Sequence, residues 1–167
     1  MSELRFEDLI SPTLSSDEYL KAYKDKSIIN KNFEDYIPES EIIEKIKDLI
    51  EKKHKKIKIV ALGADWCPDC SLNVPHMIKI VKALDNDNLE FHILYGIMVN
   101  ALHKPSEVIW HKKRSPPEAV DPKFNLKAIP TFYIFNSDGN LISLIVERPK
   151  HNSTLEKDFL EILEKNL

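Results

Sequence analysis

The sequence predicts an α/β fold in which a central mixed sheet of four strands is flanked by helices. An apolar run at residues 57–62 is typical of a buried strand, and apolar residues at helical spacing follow it at residues 72–84. Two later apolar runs, at residues 131–135 and 141–146, flank an Asp-Gly pair that is typical of a hairpin turn. Strands that alternate with helices in this way indicate an α/β domain.

A further strand of the predicted sheet lies at residues 89–95, after the helix. A strand, a helix and a parallel strand form a right-handed crossover, so the segments that leave both strands meet at one edge of the sheet. Residues 97–121 leave this strand as a long insertion. The insertion either lines the mouth of a site at that edge or is a solvated loop that Trp110 anchors to the core. The solvated loop is favoured for the basic triplet at residues 112–114.

The chain is expected to divide into an N-terminal extension and one domain. Residues 1–55 contain helical patterns but no clear strand, so we expect a helical extension packed on the core. Its strongest pattern follows Pro38, where isoleucines and leucines recur at helical spacing between charged residues. Residues 56–167 then form the domain, with the insertion at residues 97–121.

Two capping boxes predict where helices begin. Ser15-x-x-Glu18 precedes a short predicted helix at about residues 16–25. Ser153-x-x-Glu156 precedes a stripe of apolar residues that predicts the last helix. In such a box the hydroxyl and the carboxylate each accept a hydrogen bond from an unpaired amide, which marks the start of a helix.

The composition fits one domain with a substantial core and argues against a basic binding surface. The 167 residues are 43% hydrophobic and carry a formal net charge of -3, with a pI near 6.1. Nucleic acids and anionic membranes attract strongly basic surfaces, so neither is an expected partner. No stretch of the sequence approaches the ~20 apolar residues that a membrane-spanning helix needs.

The expected compartment follows from the N-terminal residues and the cysteines. The first eight residues are acidic and lack the apolar core of a secretory signal. The chain has two cysteines, so no others are available for the structural disulfides that secreted domains use. We therefore expect a cytoplasmic protein.

The two cysteines, Cys67 and Cys70, are the chemical centre of the sequence. Pro68 suits the first turn of a helix, so Cys67 is predicted at the helix N-terminus, where the dipole and unpaired amides favour a thiolate. The alternatives are an inert pair or half of a zinc site, but the sequence has no second Cys pair or His-x-x-x-His to complete one. Redox chemistry without a metal is favoured, with Cys67 as the exposed nucleophile and Cys70 as the more enclosed resolving thiol.

Several motifs around the cysteines resemble the thioredoxin superfamily. Trp66 precedes the first cysteine as in that family, and Pro75 lies five residues after the second, where the family kinks this helix. Residues 129–131, Ile-Pro-Thr, resemble the cis-proline loop of the family, and the strands that follow resemble its closing hairpin. The resemblance extends over residues 57–167 and implies a thioredoxin-like fold.

The resemblance also implies a thiol-disulfide oxidoreductase, one that reduces disulfides of protein substrates, is recycled by a thiol reductase and needs no cofactor. The Cys-Pro-Asp-Cys tetrad differs from the Gly-Pro pair of typical thioredoxins, and it resembles a cytosolic thioredoxin-related group of reductases. The implied supporting residues are Trp66, Pro68, Asp69 and Pro130. The main chain of Ile129 is implied to pair with an extended substrate.

Three further positions bear on the chemistry. Ala61 stands six residues before Cys67, where thioredoxin has a buried acid. His92 falls near the lysine partner of that acid and is either a base or, as we favour, an ordinary strand histidine. Arg148, in a Glu-Arg-Pro ending that some thioredoxin-like proteins share, is predicted beside the cysteines. There it either stabilises a thiolate, holds a substrate carboxylate or is a plain surface arginine.

Two other functions remain open from the sequence. Cys-Pro-x-Cys and the basic insertion favour a glutaredoxin-like, glutathione-linked enzyme. The Gly-Gly pair that this family uses for glutathione is missing, since the glycines are Gly63, Gly96 and Gly139. The third function is a non-enzymatic binding module that docks a partner through its helical N-terminal segment.

Overall fold

Four strands form one mixed sheet in the computed structural model, which describes residues 3–167. The strands are β1 (Ile57–Leu62), β2 (Leu89–Leu94), β3 (Thr131–Phe135) and β4 (Leu141–Val146). Their order across the sheet is β2-β1-β3-β4. Strand β1 is parallel to β2 and antiparallel to β3, and β4 is antiparallel to β3. The predicted mixed four-stranded sheet is confirmed.

Helices account for most of the remaining regular structure within residues 3–167. The α-helices are α1 (Ser16–Ala22), α2 (Ser27–Asp35), α3 (Ser40–Lys53), α4 (Pro68–Leu84) and α5 (Leu155–Asn166), and short 3-10 helices lie at Phe6–Asp8 and Pro117–Ala119. Helix α1 ends earlier than predicted. Helix α2 was not predicted, because it begins without a side-chain cap and buries only Ile29.

The two predicted capping boxes have different outcomes. At α1 the hydroxyl of Ser15 accepts a hydrogen bond from the amide of Glu18, and the Glu18 carboxylate accepts one from the amide of Ser15, so this box is confirmed. At α5 the prediction was wrong, because Thr154 is the N-cap. The carboxylate of Glu156 is buried and accepts a hydrogen bond from the amide that precedes α3.

Two apolar cores lie on opposite faces of the sheet. Successive side chains of a strand point to opposite faces, so Ile59 and Ala61 of β1 face one core while Val60 and Leu62 face the other. All five α-helices contribute buried residues to the first core. The second core is covered by the N-terminal segment and by residues from the insertion onward, among them Leu4, Trp110, Ala119, Phe124 and Leu126.

Buried side chains hold the insertion in place. Trp110 is 4% exposed, and its indole nitrogen donates a hydrogen bond of 2.8 Å to the carbonyl of Leu126. The carboxylate of Glu118 is buried and accepts hydrogen bonds from the amides of Ile10 and Ser11. The insertion and the N-terminal segment therefore form one layer against the second core, while the basic triplet at residues 112–114 is exposed. The predicted anchoring role of Trp110 is confirmed.

The helices bear on the membrane question as well. Within residues 3–167, none of them combines the length and the apolar character that crossing a bilayer would require.

Candidate active site

A short loop connects the end of strand β1 to Cys67 and helix α4. Cys67 is the N-cap of α4, with φ -89° and ψ 119°, and Pro68 occupies the first helical position. The sulfur of Cys67 accepts a hydrogen bond of 3.2 Å from the amide of Cys70. This amide is one of the groups that a helix N-terminus leaves unpaired, and such amides favour negative charge on the sulfur that accepts from them. The local geometry therefore suits a thiolate at Cys67.

Both cysteines are free thiols, and both are largely enclosed. Cys70 is 0% exposed and Cys67 is 7% exposed, so the order of exposure is as predicted, but Cys67 is far less open than we expected. Burial raises the pKa of the Cys70 thiol strongly, and the adjacent Cys67 adds to the rise, while the backbone amide of Ala64 acts in the opposite direction. The geometry therefore places one sulfur at the start of the helix and a fully buried thiol with a raised pKa one turn deeper.

The loop before β3 closes over the first cysteine. The thiol of Cys67 donates a hydrogen bond of 3.6 Å to the carbonyl of Ile129. The peptide bond between Ile129 and Pro130 is cis. The hydroxyl of Thr131 donates to the carbonyl of Ala128 at 2.7 Å, which tightens the same loop. Main-chain atoms of residue 129 thus lie next to the reactive sulfur, although 62 positions separate Ile129 from Cys67.

Trp66 and the start of the insertion form the open side of this region. The ring of Trp66 is 47% exposed, and its nitrogen donates a hydrogen bond of 2.9 Å to the carbonyl of Ile97. The amide of Ile97 donates to the carbonyl of Gly63 at 3.3 Å. The insertion therefore meets the cysteine loop at its first residue.

The end of β4 is tied to the first turn of α4. The side-chain amide of Asn73 donates hydrogen bonds to the carbonyls of Asp69 and Glu147, at 3.1 Å and 3.0 Å. Arg148 follows Glu147 and forms an ion pair of 2.8 Å with its carboxylate. The hydrogen bond that the Arg148 guanidinium donates to the Glu147 carboxylate raises the pKa of Arg148, and the nearby charge of Asp69 adds to the rise. Arg148 therefore lies at the predicted edge, but its bonded partner is Glu147 rather than Cys67.

His92 does not lie on the same face of the sheet as Ala61. It lies opposite Val60 in the register of β1 and β2, whereas Ala61 lies opposite Ile93. Neighbouring positions on a strand face opposite sides of the sheet, so His92 and Ala61 are on different faces. The ring of His92 contacts the carboxylate of Glu90 at 3.1 Å and packs against the ring of Phe6, with centroids 5.2 Å apart. The favoured interpretation as a strand histidine agrees with this position.

Three residues near Cys70 were not predicted. The hydroxyl of Tyr95 donates to the carbonyl of Cys70 at 3.5 Å, and the hydroxyls of Tyr95 and Tyr19 are 2.8 Å apart. A Cβ at Gly63 would lie 2.9 Å from the sulfur of Cys70, so the absence of a side chain there makes room for the thiol. The chain positions of Tyr19 and Tyr95 carry no motif, and only their contact in space indicates a role.

The described residues place no set of metal-ligating side chains around these thiols. Among residues 3–167, no group of three or more His, Cys, Asp or Glu side chains is arranged to hold a metal ion.

Comparison with known proteins gives four likenesses. The sequence model of a family described as thioredoxin matches residues 13–95, so its match begins within the predicted extension. Thioredoxin H5 of Arabidopsis thaliana is 29% identical over 107 residues, which cover 64% of this chain and 71% of that protein. A crystal structure of a protein of unknown function from Pseudomonas aeruginosa has a TM-score of 0.66 at 17% identity and covers 100% of both chains. A thioredoxin from Fasciola hepatica has a TM-score of 0.42 at 18% identity, over 73% of this chain and 91% of that one.

Proposed function

We propose that this chain is a thioredoxin-like protein that reduces protein disulfides through Cys67 and Cys70. The likeness to thioredoxins supports a thiol-disulfide oxidoreductase in general. The observation that carries the more specific proposal is the position of the Cys67 sulfur, which lies between the amide of Cys70 and the carbonyl of Ile129. This position combines an activated sulfur with main-chain atoms that can hold an extended peptide.

In the first step the thiolate of Cys67 attacks one sulfur of a substrate disulfide. The substrate S–S bond breaks, a mixed disulfide forms between Cys67 and the substrate, and the other substrate sulfur leaves as a thiolate that takes a proton from water. The carbonyl of Ile129 loses its thiol donor earlier, when the thiol of Cys67 gives its proton to water and becomes the attacking thiolate. Both the carbonyl and the amide of this residue then become candidates for pairing with the substrate backbone.

In the second step Cys70 resolves the mixed disulfide. Its thiol gives up a proton, its sulfur bonds to the sulfur of Cys67, and the substrate leaves as a second thiolate. Two electrons have then passed from the protein dithiol to the substrate. Pro68 and Asp69 hold the two cysteines one helical turn apart, and Pro130 shapes the loop that covers Cys67.

The oxidised protein must be returned to the dithiol by a thiol reductase, so this direction requires a reducing compartment. We propose protein substrates rather than small disulfides, because the exposed ring of Trp66 and the main chain of residue 129 offer an extended contact. The helices of residues 1–55 and the insertion at residues 97–121 are proposed to support the site. Asn32, in α2, reaches the carbonyl of Ser71 at 2.9 Å.

The test of this function is insulin reduction driven by dithiothreitol, measured beside a glutathione-coupled assay. We expect insulin reduction well above the rate with dithiothreitol alone and little activity coupled to glutathione. Strong glutathione-coupled activity would instead indicate a glutaredoxin-like enzyme. The absence of both activities in folded, reduced protein would indicate a binding module.

Arg148 is proposed to hold a carboxylate of the substrate, because its guanidinium is 66% exposed at the edge where β4 meets α4. For Arg148→Ala we expect KM for a protein disulfide to rise by about three- to tenfold with kcat nearly unchanged, as for the loss of a binding contact. The pH dependence of Cys67 alkylation should not change. A matched control is Lys150→Ala, since Lys150 is an exposed cation on the same segment that pairs with Glu161. Equal KM values for the two variants would remove Arg148 from the site.

A further inference from the structure

The enclosed side of Cys70 is formed by a glycine and a tyrosine. A Cβ at Gly63 would lie 2.9 Å from the Cys70 sulfur and 3.0 Å from Cε1 of Tyr95. The sulfur and the edge of the Tyr95 ring therefore both lie close to Gly63. Cε1 is the ring carbon next to the one that carries the hydroxyl. Burial raises the pKa of Tyr95, and a negative charge on Cys70 adds to the rise, so the hydroxyl lies within electrostatic range of the thiol.

The hydroxyl of Tyr95 has two partners. It donates to the carbonyl of Cys70 at 3.5 Å, and it lies 2.8 Å from the hydroxyl of Tyr19. A tyrosine hydroxyl has one proton, so when Tyr95 donates to Cys70, Tyr19 must donate to Tyr95. The two hydroxyls then form a chain that begins in α1 and ends at the turn of α4 that carries Cys70.

Aromatic packing fixes this chain of hydroxyls. The rings of Tyr19 and Tyr95 are perpendicular with centroids 5.1 Å apart, and Tyr19 is 0% exposed. Tyr23 completes the group, with its ring centroid 5.6 Å from that of Tyr95. The ring of Tyr19 is thus fully buried, while Tyr95 is partly buried beside it.

We propose that Tyr95, oriented by Tyr19, is a positioning residue that supports Cys70 as its thiol ionises for the resolving step. This inference rests on the proposed function, because only a reaction that passes through a mixed disulfide requires Cys70 to ionise. The thiol of Cys70 loses its proton to water, its sulfur forms the bond to Cys67, and the bond from Cys67 to the substrate breaks with release of the substrate thiolate.

The need for such support follows from the burial of Cys70. A charge that forms in an enclosed, apolar place is costly unless a donor is near. The hydroxyl of Tyr95 donates its proton to the carbonyl of Cys70, and the hydrogen bond from Tyr19 strengthens this bond, since hydrogen bonds in a chain polarise one another. The backbone amide of Ala64 is the donor that favours the ionised sulfur directly.

The charged and titratable groups around this region are few. Cys67 and Asp69, on the helix that carries Cys70, both disfavour a negative charge on it. Burial raises the pKa of Tyr19 and of Tyr23, and the charge of Asp65, on the loop before Cys67, adds to both rises. Asp65 also forms an ion pair with Lys26 at 3.8 Å. Burial raises the pKa of both hydroxyls in the chain, so they remain protonated donors through the pH range of the reaction.

Single-turnover kinetics separate the two steps. The reduced full-length protein is mixed with a chromogenic aromatic disulfide, dithiobis(nitrobenzoate). The first nitrobenzoate thiolate is released when Cys67 attacks, and the second is released when Cys70 resolves the adduct. Each phase is recorded across a range of pH.

For Tyr95→Phe we expect the first phase to stay within about twofold of wild type and the second to slow about tenfold, because the variant lacks the hydroxyl dipole near the charge that develops on Cys70. The pH midpoint of the second phase should rise. Tyr19→Phe should change the second phase in the same direction by a smaller factor, because Tyr95 keeps its hydroxyl but loses its donor. Tyr23→Phe is the control, because Tyr23 belongs to the same aromatic group. Within residues 3–167, its hydroxyl forms no hydrogen bond with another side chain.

Three results for Tyr95→Phe would overturn the inference. The first is a second phase within about twofold of wild type, and the second is an equal slowing of both phases. The third is a slowed second phase with an unchanged pH midpoint, because a merely structural role predicts that result. Failure of the proposed function would look different. In that case wild-type protein would not reduce insulin above the rate with dithiothreitol alone.

Discussion

Replacement of Cys67 by serine is expected to abolish disulfide reduction, whereas Cys70→Ser should still attack a substrate and then stop. Cys67 caps α4 and accepts the amide hydrogen bond of Cys70, while Cys70 is fully buried with a raised pKa. Loss of the nucleophile removes the first step. Loss of the resolving thiol leaves the mixed disulfide without an internal thiol to attack it, so the adduct accumulates.

Mass spectrometry of each variant after exposure to insulin with its disulfides intact checks this expectation. The Cys70→Ser protein should carry a stable adduct on Cys67, and turnover in both variants should fall by about a thousandfold or more, as for removal of a reacting group. Far-ultraviolet circular dichroism is the control for folding. A stable adduct on Cys70 in the Cys67→Ser protein would reverse the roles of the two thiols.

The two tryptophans should respond to truncation in opposite ways. Trp110 is buried between the insertion and the second core, so Trp110→Ala should lower the free energy of unfolding by about 3–5 kcal/mol, the usual cost of removing a large core side chain. Trp66 is 47% exposed, so Trp66→Ala should cost about 1 kcal/mol or less. We expect the opposite order for the rate of reaction, because the exposed Trp66 directly precedes Cys67, whereas Trp110 is buried and bonded to the carbonyl of Leu126.

Urea unfolding and stopped-flow alkylation of Cys67 measure the two effects. We expect Trp110→Ala to shift the unfolding midpoint strongly and to leave the alkylation rate, measured without urea, near that of wild type. Trp66→Ala should leave the midpoint nearly unchanged and reduce the rate of attack on a protein disulfide. If Trp110→Ala slowed alkylation more than Trp66→Ala did, the insertion would be part of the site rather than a layer anchored behind it.

Local patterns predicted most of the elements correctly. Each strand appears as an apolar run, and the helix after the cysteines begins at Pro68 as its residue type indicates. Helix α2 was missed because its residues lack both a cap and a continuous apolar stripe, so the helix depends on contact with α4 rather than on its own sequence. The second capping box failed for a related reason. Glu156 has a better partner in another element than at its own helix start.

Side-chain position on a strand was less predictable, as His92 illustrates. An alignment uncertain by one residue leaves the face of the sheet undetermined, because neighbouring residues on a strand point to opposite sides. The register pairs Ala61 with Ile93, so the candidate base lies on the far side of the sheet from Ala61. Arg148 was placed at the correct edge because an antiparallel hairpin returns to where it began, but its ion pair with Glu147 could not be read from the sequence.

The sequence by itself determined the pair of thiols at a strand-to-helix junction, since that arrangement depends on residues within a few positions of one another. Only the tertiary structure decided what surrounds those thiols. The carbonyl of Ile129 meets Cys67 across 62 positions, and Tyr19 meets Tyr95 across 76. Such contacts depend on strand register and on how the helices pack against the sheet, and these are set by the burial of the whole core rather than by any local pattern.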